Sequence, residues 1–302
     1  MKKVKIEKTP LKVFNKHTDW NKILLKDETK QLTSAFKIRG VLNKFKTTKL
    51  EEYETIITAS TGNHGQAVAL CSKYFDKKCI IVVPKTTPRS KIEKISKYNP
   101  IIISEGLENY GECKLEAIRL ARQNKYLYIP SFDDLDIIEG HKTLFNEIEW
   151  DNIDYCFCPV GGGGLISACI ESLKNTQVKV IGVEVENMDA MNKSLLAGSI
   201  QQVSIKNTKE SFVEGIMVSE VGEKNFEIAK NNNLKIYTVS EEEIKDAIKN
   251  LFQCNNIKSE GAGAAALACA MKYQKHNKKC VCIISGGNID NVVFEKIVEV
   301  KR

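Results

Sequence analysis

Tyr155-Cys156-Phe157-Cys158-Pro159-Val160-Gly161-Gly162-Gly163-Gly164-Leu165-Ile166 joins a short apolar run to four glycines and then to an amphipathic stretch. A near-continuous apolar run of this length is the pattern of a strand buried on both faces, as in parallel sheets. The carboxyl ends of such strands face the ligand crevice of an α/β protein. There a helix start presents unpaired N–H groups to an anion. Four glycines let backbone N–H groups wrap a phosphate with no side chain in the way. A plain flexible turn is the alternative, at a cost in chain entropy. The run is not a P-loop, because no Lys-Ser/Thr pair follows, and the third glycine of a dinucleotide pattern falls at Ile166.

The same strand, glycine turn and helix arrangement recurs at Ala59-Ser60-Thr61-Gly62-Asn63-His64-Gly65 and at Ser285-Gly286-Gly287-Asn288. Other strand-like runs lie at 55–59, 79–84, 101–104, 178–185, 235–239 and 280–285. Amphipathic stretches fill 65–74, 90–98, 110–123, 165–173, 241–252, 261–274 and 292–300. Ser240 followed by Glu243 reads as a capping box opening one of them. Strands alternating with helices predict an α/β fold with mostly parallel sheets flanked by helices. The segment 55–134 carries three of the strands and reads as a smaller unit, with 1–54 plus 135–302 forming the larger one.

Composition narrows the function classes. The 302 residues suit about two domains. The net charge is +7, but lysines are spread through the chain among acidic residues, so no nucleic-acid patch is expected. No apolar run approaches the ~18 residues that span a bilayer, and no signal-peptide core opens the chain. A cytoplasmic protein is expected. Eight of the ten cysteines, among them the Cys156/Cys158 and Cys280/Cys282 pairs, sit in apolar surroundings. They read as buried small hydrophobes and not as metal ligands.

Lys37, in Thr33-Ser34-Ala35-Phe36-Lys37-Ile38-Arg39-Gly40, is by itself an ordinary lysine. Taken with the glycine loops, this block makes the chain resemble the fold type II (tryptophan synthase β-like) pyridoxal-phosphate enzymes, and within them the serine/threonine dehydratase group. The resemblance runs almost end to end. It takes in Thr9-Pro10-Leu11, Leu25-Lys26-Asp27-Glu28, Phe132-Asp133-Asp134, Ile138-Glu139-Gly140, Glu214-Gly215-Ile216 and Glu260-Gly261-Ala262-Gly263-Ala264.

The resemblance implies that Lys37 forms an imine with pyridoxal 5'-phosphate and, once freed by the incoming amino acid, removes the α-proton. Phe36 backs one face of the cofactor ring, and Asn63 bonds its 3'-oxygen. Gly161, Gly162, Gly163 and Gly164 hold the phosphate. Gly215 and Glu260 line the ring. Ser285 partners the pyridine nitrogen, and a hydroxyl there makes the ring a weaker electron sink than a carboxylate would. Ser60, Thr61, Gly62 and His64 receive the substrate carboxylate, and Phe132 covers the substrate side chain. The implied reaction is dehydration and deamination of L-threonine or L-serine to a 2-oxo acid and ammonia, in a homodimer or homotetramer. No end-product regulation is expected, since the chain stops about where the catalytic fold does.

Three departures keep alternatives open. Thr61 places a hydroxyl where racemases of the family resemble this chain, so Thr61 is also a catalytic acid/base candidate and serine racemase is a rival activity. A threonine synthase-like replacement or a hydroxyectoine-type dehydratase are further ones, and a non-catalytic binding protein on this scaffold is the rival from another class. The usual Gly-Gln-Gly-Thr is Gly140-His141-Lys142-Thr143 here, and a solvent-facing or interface role is expected for His141 and Lys142. The family's cation site is partly matched, with Glu184 present, Ala190 at the second carboxylate position and Asp189 one residue early, so no metal is assigned.

Overall fold

The computed structural model describes residues 4–15, 22–204, 211–273 and 278–299. Its strands, in chain order, are β1 (Leu11–Val13), β2 (Ile23–Asp27), β3 (Thr55–Ala59), β4 (Lys78–Val82), β5 (Ile101–Ile103), β6 (Leu127–Tyr128), β7 (Tyr155–Pro159), β8 (Lys179–Val185), β9 (Lys235–Val239) and β10 (Cys280–Ile284). They form two sheets, ordered β1-β2-β10-β7-β8-β9 and β5-β4-β3-β6. Every pairing is parallel except β1 with β2.

Helices α1 (Lys37–Thr47), α2 (Asn63–Tyr74), α3 (Arg89–Ser96), α4 (Tyr110–Asn124) and α5 (Leu135–Phe145) belong to the first half of the chain. Helices α6 (Gly164–Leu173), α7 (Ala190–Ala197), α8 (Glu223–Asn231), α9 (Glu241–Asn255), α10 (Gly261–Tyr273) and α11 (Asn291–Val298) follow. Helix α10 is buried along almost its whole length, since its Ala/Gly-rich sequence lets it lie close on the larger sheet. Helix α1 packs against the smaller sheet. Its Ile38, Val41, Leu42 and Phe45 share one apolar cluster with Ile56 and Ile81 of the smaller sheet.

The expected α/β architecture is present, and so is the capping box, with Ser240 Oγ accepting from Glu243 N and the Glu243 carboxylate accepting from Ser240 N. Strands β1, β2 and β6 were not expected. β2 hides its pattern because Lys26 and Asp27 are wholly buried in it, and β6 is only 2 residues long. The ends of two expected helices, Gln274 and Val300, lie outside the described residues. Each of the eight cysteines expected in apolar surroundings is buried and reduced.

Candidate active site

β3, β7 and β10 each end in one of the three glycine turns singled out in the sequence, and those ends converge. After β7 the chain runs through Gly161, Gly162 and Gly163 into α6, which starts without a side-chain cap. The Gly162 carbonyl is turned away by two donors, Gly222 N at 3.1 Å and Asn225 Nδ2 at 2.7 Å. Gly163 has φ +98°, a conformation that other residues rarely adopt. A Cβ on Gly162 would lie 2.3 Å from the Phe132 ring, so only glycine fits. The result is a side-chain-free bend at a helix N-terminus, where backbone N–H groups and the helix dipole favour an anion.

Lys37, the first residue of α1, is tied to the residue before Phe132, whose ring packs on this bend. Its Nζ donates to the Ser131 carbonyl at 2.8 Å and lies 5.3 Å from the Phe36 ring centroid. Burial pushes its pKa down to about 8, against the opposing pull of the Glu260 carboxylate. Glu260 itself is raised above the ordinary carboxylate range by burial, with Asn63 and the Asn288 backbone N–H restraining the shift. Asn63 Nδ2 donates to Glu260 Oε1 at 2.6 Å, and Asn288 N donates to Glu260 Oε2 at 3.2 Å. Asn288 Nδ2 donates in turn to Asn63 Oδ1 at 2.7 Å and to the Thr33 carbonyl at 2.7 Å. This chain of amides links the loops after β3 and β10 and orients Asn63.

Ser285 is buried at the end of β10, and its carbonyl accepts the Phe36 N–H at 3.0 Å, which ties that strand end to the Lys37 loop. Gly215 belongs to a 3-10 turn whose backbone touches the cradle, since a Cβ on Gly161 would lie 3.5 Å from the Gly215 carbonyl oxygen. Ser60, Thr61 and Gly62 form the half-buried loop before α2, and Ser60 Oγ accepts from Gly62 N at 3.2 Å. Helix α2 likewise starts uncapped. The His64 ring does not face that loop. Its Nε2 lies 3.1 Å from Thr58 Oγ1 and 3.2 Å from the Ile129 carbonyl, against the smaller sheet. Its Nδ1 is buried without a partner. Phe132 packs directly on the cradle.

The structure corrects one expectation. His141 does not face solvent or an interface surface: it is 1% exposed, because Gly40 and Phe36 leave room for its ring inside the fold. Lys142, next to it on α5, points outward and pairs with Glu139 at 2.8 Å. The partial cation site is occupied by protein groups. Glu184 accepts from Met191 N and Asn192 N, both at 2.9 Å, and Asp189 pairs with Lys193 at 3.0 Å. Among the described residues no three His, Cys, Asp or Glu side chains gather as a metal site requires.

Sequence reasoning assigned no role to Ser131, Asn225 or Asn288. Asn288 stood in a quoted glycine turn, so its place beside the site was visible. Asn225 reaches the cradle from a distant helix, and no local pattern marks it.

The family model described as "Pyridoxal-phosphate dependent enzyme" matches residues 3–286. The chain belongs to this family of pyridoxal-phosphate-dependent enzymes. It is 38% identical over 282 residues to the L-threonine ammonia-lyase of Thermotoga maritima, covering 91% of this chain and 69% of that one. The processed threonine deaminase isoform 2 of Solanum lycopersicum superposes with a TM-score of 0.89 at 32% identity, over 97% of this chain and 88% of that one. Serine racemase from Dictyostelium discoideum superposes with a TM-score of 0.81 at 33% identity, over 94% of each chain.

Proposed function

We propose that this chain catalyses pyridoxal-phosphate-dependent deamination of L-threonine or L-serine, giving a 2-oxo acid and ammonia. The carrying observation is Lys37, a buried amine with its pKa pushed down to about 8, bonded next to the Phe132 that packs on the glycine bend. The cradle fits a phosphate, and the Lys37 amine fits an aldehyde partner. When bound, the cofactor withdraws electrons from the amino acid's α-carbon.

The chain's own residues then divide the work. The backbone N–H groups of Gly161, Gly162, Gly163 and Gly164 hold the phosphate. Phe36 backs the ring, while Gly215 and Glu260 flank it. Asn63, held by Glu260 and Asn288, would bond the ring's 3'-oxygen. Ser285 supplies a hydroxyl to the pyridine nitrogen without the charge to keep it protonated. The substrate carboxylate sits at the N-terminus of α2, on Ser60, Thr61, Gly62 and the His64 backbone, and Phe132 closes the side-chain end. Lys37 Nζ takes the α-proton, the β-hydroxyl departs with a proton as water, and hydrolysis of the resulting enamine releases ammonia. A neutral amine is the form that can accept the proton, and burial favours it.

We infer that the unit 55–134 closes over the substrate against the rest of the chain, 1–54 plus 135–302. Two contacts from α3 support this: Lys91 pairs with Glu214, and Lys94 Nζ donates to the Asn288 carbonyl at 3.2 Å. We also infer a cytoplasmic homodimer or homotetramer. Among the described residues no helix is long and apolar enough to cross a membrane.

The reaction is tested by incubating the holoenzyme with L-threonine, L-serine and D-serine while following ammonia, 2-oxo acid and enantiomer formation. Ammonia with matching oxo acid supports the reading. Enantiomer without ammonia would replace it with racemisation, for which the hydroxyl of Thr61 at the substrate loop is the specific supporting feature.

A further inference from the structure

Helix α5 carries an imidazole with no hydrogen-bond partner at either nitrogen, although both atoms are buried. This is His141, 1% exposed. Its ring meets the Phe36 ring edge-on, with centroids 4.7 Å apart. A Cβ on Gly40 would lie 2.5 Å from His141 Cε1, so a glycine on α1 is what admits the ring. A Cβ on Gly164 would lie 4.0 Å from His141 Cδ2. The ring therefore spans from α1 to the first residue of α6. Nε2, bonded to both of those carbons, is its outer tip between them.

Native folds rarely leave a buried polar atom unpaired without a ligand or water. Here the Cδ2 carbon bonded to the unpaired Nε2 adjoins the first residue of an uncapped helix start that is itself built for an anion. Lys37, His64 and Arg39 are the charged or titratable groups that act on the ring electrostatically. Burial, reinforced by Lys37, His64 and Arg39, holds the imidazole well below its ordinary pKa. It is thus a neutral ring with one N–H to offer.

We propose that His141 contacts the cofactor phosphate, its Nε2–H donating a hydrogen bond to an oxygen seated in the Gly161 to Gly164 cradle. This rests on the phosphate placement given under the proposed function. The backbone N–H groups supply the anion site, and His141 adds one directed donor without a second positive charge beside Lys37. A charged donor there would oppose protonation of Lys37 during the reaction, whereas a neutral one leaves it free to titrate.

The test uses the holoenzyme and two variants, His141→Leu, which removes the donor, and His141→Gln, which keeps an N–H. Cofactor dissociation constants are measured together with the phosphorus NMR signal of the bound phosphate. His141→Leu should weaken cofactor binding about tenfold and move the phosphorus resonance, while His141→Gln stays within about threefold of the parent. Unchanged affinity and resonance in His141→Leu overturns the proposal and makes the ring a spacer over a buried water. Should that variant fail to fold, nitrogen NMR of the parent holoenzyme decides, with the His141 signal assigned by its loss in His141→Gln. A proton on Nε2 is required, and a proton on Nδ1 alone overturns the proposal. A parent phosphorus signal as sharp as that of free cofactor sinks the cradle itself, whereas an immobilised signal indifferent to His141→Leu sinks only the histidine contact.

Discussion

Helix α1 borders two buried polar sites that differ in one respect. On one side Arg39 donates to Glu28 Oε1 and Oε2 at 2.8 and 2.7 Å and to Glu147 Oε1 and Oε2 at 2.7 and 3.0 Å. Lys26 joins Glu147 at 2.5 Å and the Thr9 carbonyl at 2.8 Å. Two cations face two carboxylates, and the cluster is closed. On the other side His64 Nδ1 and both nitrogens of His141 have no partner, and Lys37 donates to a single carbonyl. A single residue, Ile38, separates Lys37 from Arg39 on the helix. The closed cluster ties α1 to β2 and to Glu147 beyond α5, and the open one keeps buried polar atoms free of protein partners. Ser72 and Ser172 also bury an unpaired hydroxyl, so it is the gathering of unpaired imidazole nitrogens near Lys37, and not a lone unpaired atom, that sets this side apart from the saturated scaffold.

Exchanging single residues across this divide should give opposite signatures. Lys37→Ala should cut turnover by at least ~10²–10⁴-fold, measured as ammonia release, while thermal unfolding of the cofactor-free chain shows no destabilisation. Arg39→Met should do the reverse, costing about 3–5 kcal/mol in denaturant unfolding, because Glu28 and Glu147 are left facing no guanidinium. A variant of Arg39 as stable as the parent would erase the contrast.

Gly162→Ala probes the seam between the sites. Its methyl would meet the Phe132 ring, so it should cost about 1–3 kcal/mol and weaken the cofactor, read by absorbance titration. The smallest effect concerns pH. In the cofactor-free chain Lys37 titrates near 8 and the unfolded lysine near 10.5. Between those values the unfolded chain binds more protons, so stability should rise with pH across that window. Lys37→Met should flatten the rise, and an undiminished slope would mean that another group produces it.

How much of this was legible in the sequence follows the same divide. Strand-turn-helix units at 59–65, 159–164 and 285–288 were visible because their signals are local: an apolar run, glycines, then a 3.6-residue period. Strand β2 was not, since Lys26 and Asp27 are satisfied by residues more than a hundred positions away or in the neighbouring strand. Helix α1 was missed because Arg39 and Gly40 interrupt its apolar stripe, one to reach Glu147 and the other to admit His141. His141 was expected outside because a histidine beside a lysine on a helix is usually solvated. Only the packing of α1 against α5 reveals that the two neighbours point to opposite sides.

The central claim concerns one nitrogen. Reducing the holoenzyme with borohydride fixes the cofactor to whichever amine holds it, and peptide mass spectrometry reads the position. The account predicts a phosphopyridoxyl group on the peptide carrying Lys37 and on no other. A label on a different lysine, or a coloured protein that reduction leaves unlabelled, would contradict it.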